Sequence, residues 1–114
     1  MKAVFIELPP FARYRQDYLD DEAFAALQRE LLANPYAGKA IKGTSGLRKM
    51  RFQDKNRGKG KRGGVRIIYY WHQPESQFWL FTIYSKGEIS DLTQDERQKL
   101  SAMLKRELTA RESP

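Results

Sequence analysis

Five basic and tyrosine side chains lie in three apolar, alternating segments of the sequence: Lys49, Arg51, Arg66, Tyr70 and Tyr84. Guanidinium groups bind phosphate oxygens through paired hydrogen bonds, and tyrosine rings offer nucleobases a stacking surface. Cationic side chains also stabilise the negative charge that develops on a reacting phosphate. We therefore predict that these five residues form a face that binds a phosphate-bearing polymer. The alternative for any single one is a solvated surface residue that protects a sheet edge.

The positive charge of the chain is concentrated around these residues. The 114 residues include 21 Lys and Arg and 14 Asp and Glu, which gives a net charge of +7. Segment 42–66 holds ten of the basic residues and one acid, Asp54, so that the remainder carries 11 basic against 13 acidic residues. A charge excess confined to one patch is typical of proteins that bind a polyanion, because each neutralised phosphate releases counterions.

The three segments, 47–53, 65–72 and 78–84, predict an antiparallel meander, since they are rich in alternating β-branched and aromatic residues. Strand side chains point alternately to opposite faces. This parity predicts an apolar face packed on helices, formed by Met50, Phe52, Val65, Ile67, Tyr69, Trp71, Trp79, Phe81 and Ile83. We expect the opposite face to be concave, exposed to water and lined by the five residues named first.

A glycine-rich basic loop, 54–64, joins the first two strands of this meander. Its five cations are Lys55, Arg57, Lys59, Lys61 and Arg62. Glycines leave the backbone free to follow a phosphate track, so we predict that the loop is a mobile electrostatic arm. Arg48 and Tyr70 are predicted as further contacts to the same polymer.

The rest of the chain predicts helices around the sheet. A first strand at 3–8 ends at Pro9-Pro10, and apolar residues then recur at helical spacing from Phe11 to Asn34. Asp20 or Asp21 is the predicted N-cap that divides this stretch into two helices. Segment 37–46 is a predicted loop, and Thr93 and Glu96 match a capping box that begins a last helix. The prediction is one α+β domain over residues 1–114.

Composition excludes several kinds of chemistry. The chain has no cysteine and a single histidine, His72, which rules out disulfides, thiol catalysis, cysteine metal sites and a two-histidine acid/base pair. The apolar run at the amino terminus is interrupted by Glu7, so we predict neither a signal peptide nor a membrane span there. A soluble intracellular protein without a cofactor is the expectation.

The sequence resembles a known family over nearly the whole chain, and three stretches carry most of the resemblance. GTSGLRKMR at 43–51, GKGKRGGVRIIYY at 58–70 and FTIYSKGEISDL at 81–92 are together similar to the HigB branch of the RelE-like toxins of bacterial toxin–antitoxin modules. The resemblance implies a microbial-ribonuclease-like α+β fold, with an antiparallel sheet packed against N-terminal helices and a C-terminal helix. It implies a cytoplasmic toxin that cuts mRNA in the ribosomal A site, and a small helix-turn-helix, HigA-like antitoxin that neutralises it.

The resemblance also implies a chemistry and a set of residues. In this family the ribose 2′-hydroxyl attacks the adjacent phosphate without a metal ion, and lysine, arginine and tyrosine assist. Matching positions here are Lys49, Arg51, Arg66 and Lys86. Where the RelE pattern has a tyrosine shortly before its C-terminal segment, Thr93 lies near that place here, so the aromatic role is assigned to Tyr84, with Tyr70 in reserve. The general base is not assigned.

Two other functions use the same basic patch. One is a non-catalytic module that binds RNA or the ribosome. The other is a DNA-binding regulator, which is disfavoured because the basic residues lie on predicted strands and a loop rather than on a recognition helix.

Overall fold

The described part of the chain forms a five-stranded sheet with helices on both faces. The computed structural model describes residues 2–53, 64–85 and 91–112. In chain order the elements are β1 (Val4–Glu7), α1 (Pro9–Tyr18), α2 (Asp21–Ala33), β2 (Lys39–Ala40), β3 (Arg48–Phe52), β4 (Val65–His72), β5 (Gln77–Ser85) and α3 (Gln94–Glu112). One turn of 3-10 helix, Gln73–Glu75, links β4 to β5.

Local sequence explains where each helix begins. Pro9 and Pro10 occupy the first turn of α1, where a missing N–H costs nothing and the fixed φ suits a helix. Asp20 caps α2 by accepting a hydrogen bond from the Ala23 N–H at 2.8 Å. The capping box of α3 is confirmed, since Thr93 and Glu96 each accept a hydrogen bond from the other's N–H, at 3.1 and 2.8 Å. No helix in this described part of the chain is long and apolar enough to span a membrane.

The strand order is β1-β5-β4-β3-β2. β3, β4 and β5 form the predicted antiparallel meander. β1 pairs with β5 in parallel, so the sheet is mixed rather than antiparallel throughout. Segment 37–46, predicted as a loop, contributes the two-residue edge strand β2, which pairs with β3.

Helices cover the apolar part of both faces of the sheet. On one face Met50, Ile67 and Leu80 pack with the buried residues of α1 and α2, such as Phe11 and Leu27. On the other face Ile68, Trp79 and Phe81 pack with Leu100 and Leu104 of α3. Parity within β3 and β4 agrees with the prediction, because Met50, Phe52, Val65, Ile67 and Tyr69 share one face.

The prediction of one wholly open face was wrong, and a β-bulge accounts for part of the error. Ile68 pairs with Thr82 and Tyr69 with Leu80, so Phe81 has no partner on β4. The extra residue shifts the phase of β5. As a result Ile83 joins the core under α1 and α2, whereas Trp79 and Phe81 lie in the core under α3, not together with Ile83 as predicted.

Candidate functional site

Three of the predicted site residues lie side by side on adjacent strands. Arg51 of β3 pairs in register with Arg66 of β4, and Arg66 pairs with Tyr84 of β5. We call Arg51, Arg66 and Tyr84 the Arg–Tyr row. Directly opposed residues on neighbouring strands bring their Cβ atoms to about 5 Å, within reach of one phosphate group. Exposure of the side chains to solvent decreases along the row. Arg51 is exposed, Arg66 is half-buried, and Tyr84 is buried, with 6% of its surface exposed.

The buried end of the row is a neutral tyrosine. Burial raises the pKa of the Tyr84 hydroxyl above its ordinary value of 10.0. The Arg66 guanidinium opposes this shift, while the carboxylates of Asp91 and Glu96 add to it. Tyr84 therefore keeps its proton at neutral pH, and the group is suited to donate a hydrogen bond or a proton rather than to accept one.

Lys49 lies on the same face of β3 as Arg51, about 7 Å along the strand. Its ammonium Nζ is 3.6 Å from Oδ1 of Asp91. The same carboxylate oxygen accepts a hydrogen bond from the Leu92 N–H at 2.8 Å. This hydrogen bond, together with Lys49, lowers the pKa of the Asp91 carboxyl. Asp91 is thus an anionic neighbour of the site that the sequence pattern did not single out.

Arg48 is separated from this site by the alternation of β3, because it shares the parity of Met50 rather than that of Lys49. Its guanidinium donates hydrogen bonds to the carbonyl oxygens of Tyr36 at 2.8 Å, Gly38 at 3.0 Å and Ala37 at 3.4 Å. The hydroxyl of Tyr69 lies 2.8 Å from the same Ala37 oxygen and 3.0 Å from that of Pro35. Arg48 therefore holds the turn that leads into β2.

Tyr70 lies at the far end of β4, about 13 Å along the strand from Arg66. Its ring is 5.2 Å from that of Trp79 and 6.3 Å from that of His72. Gly46 packs against the Tyr70 ring so closely that a Cβ would lie 3.0 Å from it. Tyr70 thus belongs to an aromatic cluster near the β4–β5 turn and not to the Arg–Tyr row.

The remaining predicted contacts lie outside the described residues. They are the loop residues Lys55, Arg57, Lys59, Lys61 and Arg62, and Lys86 beyond β5. The structure thus brings together Arg51, Arg66 and Tyr84, with Lys49 beside them.

Fold and site together define a class of small α+β protein whose mixed sheet carries arginine and tyrosine side by side, a combination suited to binding a phosphate backbone. A solved structure of this fold is that of a mutant of the E. coli toxin RelE in its free state. The match covers 87% of this chain and 97% of that chain, with a TM-score of 0.57 and 13% sequence identity. At that identity the likeness establishes the fold alone. No family model matches the sequence.

Proposed function

We propose that this protein is the toxin of a toxin–antitoxin module and that it cuts mRNA. More narrowly, we propose a member of the HigB branch of the RelE-like toxins, acting in the cytoplasm on mRNA in the ribosomal A site. The observation that supports this most is the placement of Arg51, Arg66 and Tyr84 in one cross-strand row on a fold shared with the toxin RelE.

The proposed reaction is a transesterification at one phosphate. The ribose 2′-hydroxyl loses its proton to solvent as its oxygen attacks the adjacent phosphorus, the bond from phosphorus to the 5′-oxygen breaks, and a cyclic phosphate and a 5′-hydroxyl result. Arg51 and Arg66 bind the non-bridging oxygens and stabilise the charge that grows on them in the transition state. Tyr84, kept neutral by burial, donates to the departing 5′-oxygen. Lys49, whose Nζ is 3.6 Å from Oδ1 of Asp91, is the remaining cation beside the row.

The other basic residues receive roles by resemblance alone. We assign Lys86 as a further catalytic cation, and Lys55, Arg57, Lys59, Lys61 and Arg62 as contacts to RNA or the ribosome. Arg48 is left out of the proposed surface, because its guanidinium is bonded to three backbone carbonyls on the other face of β3. Tyr84 is preferred to Tyr70 because only Tyr84 lies in the row with Arg66.

Cleavage of ribosome-bound mRNA tests this proposal. The purified protein is added to ribosomes programmed with a defined mRNA, and the 5′ ends of the products are mapped by primer extension. We expect cleavage within the A-site codon by the unaltered protein and by Arg106→Ala, an exposed α3 variant that removes the same charge elsewhere. Arg66→Ala should lose most of it. Binding to ribosomes without any cleaved product would instead support a non-catalytic RNA-binding module.

The proposed partner is a small helix-turn-helix antitoxin resembling HigA. It would be encoded beside this protein, and its co-expression should relieve growth arrest. Arrest that persists with the neighbouring gene product present would contradict this assignment.

A further inference from the structure

A cleft of about 470 Å³ lies between α1 and α3, next to the last residues of β5. One wall is a stripe of α1 that includes Tyr14 and Tyr18, which are four residues apart and therefore share a face of the helix. The floor includes Thr82 and Tyr84, and the opposite wall includes Lys99 of α3.

The cleft exists because β1 is shorter than its neighbour. β1 pairs with β5 only as far as Leu80, and α1 begins at Pro9, two residues after β1 ends. β5 continues for five residues to Ser85. Among the described residues no strand accompanies this last part of β5 on that side, so α1 and α3 frame an opening above it.

The lining has the chemistry that a nucleobase requires. Tyr14 is 42% exposed and Tyr18 is half-buried, so ring surface is accessible for stacking. Thr82, also half-buried, offers a hydroxyl that can both donate and accept. At the rim, Lys99, whose Nζ is 3.1 Å from Oδ2 of Asp95, offers a donor and Glu96 offers an acceptor. Unpaired bases in RNA are bound in this way, by aromatic stacking with a few polar groups at the base edge.

Tyr84 connects this cleft to the Arg–Tyr row. Its side chain lines the cleft, while in the sheet it is the register partner of Arg66. A nucleotide whose phosphate is bound by Arg51 and Arg66 would therefore have this cleft within reach of its base. We propose that the cleft is a nucleobase subsite, in which an unpaired base next to the bound phosphate stacks on Tyr14. This inference rests on the proposed RNA substrate.

The probe for this subsite is mRNA on the ribosome whose A-site codon is made uncleavable by 2′-O-methyl sugars. One base of that codon is replaced either by the fluorescent base 2-aminopurine or by an abasic residue, at each codon position in turn. The unaltered protein and Tyr14→Phe, which keeps the ring, should quench the 2-aminopurine at one position. Tyr14→Leu, which keeps apolar area without the ring, should bind about five- to one-hundred-fold more weakly and quench less.

Two controls isolate the stacking interaction. Tyr36→Leu changes another exposed tyrosine, near the β2 edge of the sheet, and should behave as the unaltered protein does. With the abasic codon, the unaltered protein and Tyr14→Leu should bind equally well.

The outcomes separate this inference from the proposed function. Equal binding of intact and abasic codons by the unaltered protein, with no quenching at any position, would overturn the subsite alone. If Tyr14→Leu kept full RNA binding and quenching but lost a co-expressed protein partner, the cleft would be a protein-docking groove and the subsite would be wrong. Failure of the unaltered protein to bind the programmed ribosome at all would overturn the proposed function as well.

Discussion

The two faces of the sheet are built from alternate residues of the same strands, yet the arginines on each face have different surroundings. The face under α1 and α2 carries Arg48 at the start of β3, and that arginine is bonded to backbone carbonyls. The face under α3 is apolar in its middle, around Ile68 and Leu104, and carries Arg51 and Arg66 at the opposite end from the β4–β5 turn.

This difference shows that parity alone does not identify a binding face. Arg48 and Lys49 are neighbours in sequence with the same charge, but one supports a turn and the other lies beside the Arg–Tyr row with Asp91. Part of the α3 face is a candidate site because the apolar residues that pack with α3 do not extend to Arg51, which is exposed. The row lies at the limit of these apolar residues, with Tyr84 buried at one end and Arg51 exposed at the other.

The largest expected effect concerns the apolar part of the α3 face. Leu104→Ala should lower the free energy of unfolding by about 2–5 kcal/mol, because it removes a fully buried side chain and leaves a cavity. Leu27→Ala, at an equally buried position on the other face, is the matched variant and should cost about as much. Urea unfolding measures both. A loss at Leu104 no larger than that of a surface substitution would mean that α3 does not cover this face.

Replacing two arginines of β3 one at a time sharpens the comparison further. Arg48→Ala should lower the free energy of unfolding by about 1–3 kcal/mol, since it leaves the carbonyls of the turn without a charged donor. Arg51→Ala should barely change stability, yet reduce the slope of log RNA affinity against log salt by about one. Arg48→Ala should therefore affect stability more than RNA binding, and Arg51→Ala should affect RNA binding more than stability. Equal salt slopes would contradict the separation of the faces.

The smallest expected effect appears at alkaline pH. Burial raises the pKa of Tyr69 to about 12, although the nearby Arg48 guanidinium opposes this shift. Burial also raises the pKa of Tyr84. Above pH 10 the unfolded chain loses these protons first, so the stabilisation is complete below pH 10 and declines as pH rises towards 12. Tyr69→Phe should make this decline shallower by up to about 1.4 kcal/mol per pH unit.

Much of the fold followed from local patterns. Alternation predicted the meander and the faces of β3 and β4, and the capping box of Thr93 and Glu96 predicted the start of α3. Arg48 was predicted as a contact to the same polymer as Lys49, although the same alternation places it on the side of Met50, so its separation from Lys49 was foreseeable.

Long-range features were not foreseeable. The bulge at Phe81 and the parallel pairing of β1 depend on how distant segments meet, and neither leaves a mark in the order of residues. For the same reason the burial of Tyr84 under α3, the approach of Asp91 to Lys49 and the cleft beside Tyr14 required the assembled structure.

The central claim is that Arg66 and Tyr84 act together on one phosphate. A double-mutant cycle of cleavage rates on programmed ribosomes, with Arg66→Ala, Tyr84→Phe and both, tests it most directly. We predict that Arg66→Ala alone slows cleavage about 100- to 1,000-fold. The double variant should be far less impaired than the product of the two single effects, because residues that act as a unit are not additive. Rates that multiply independently, or an Arg66→Ala variant that cleaves normally, would contradict the account.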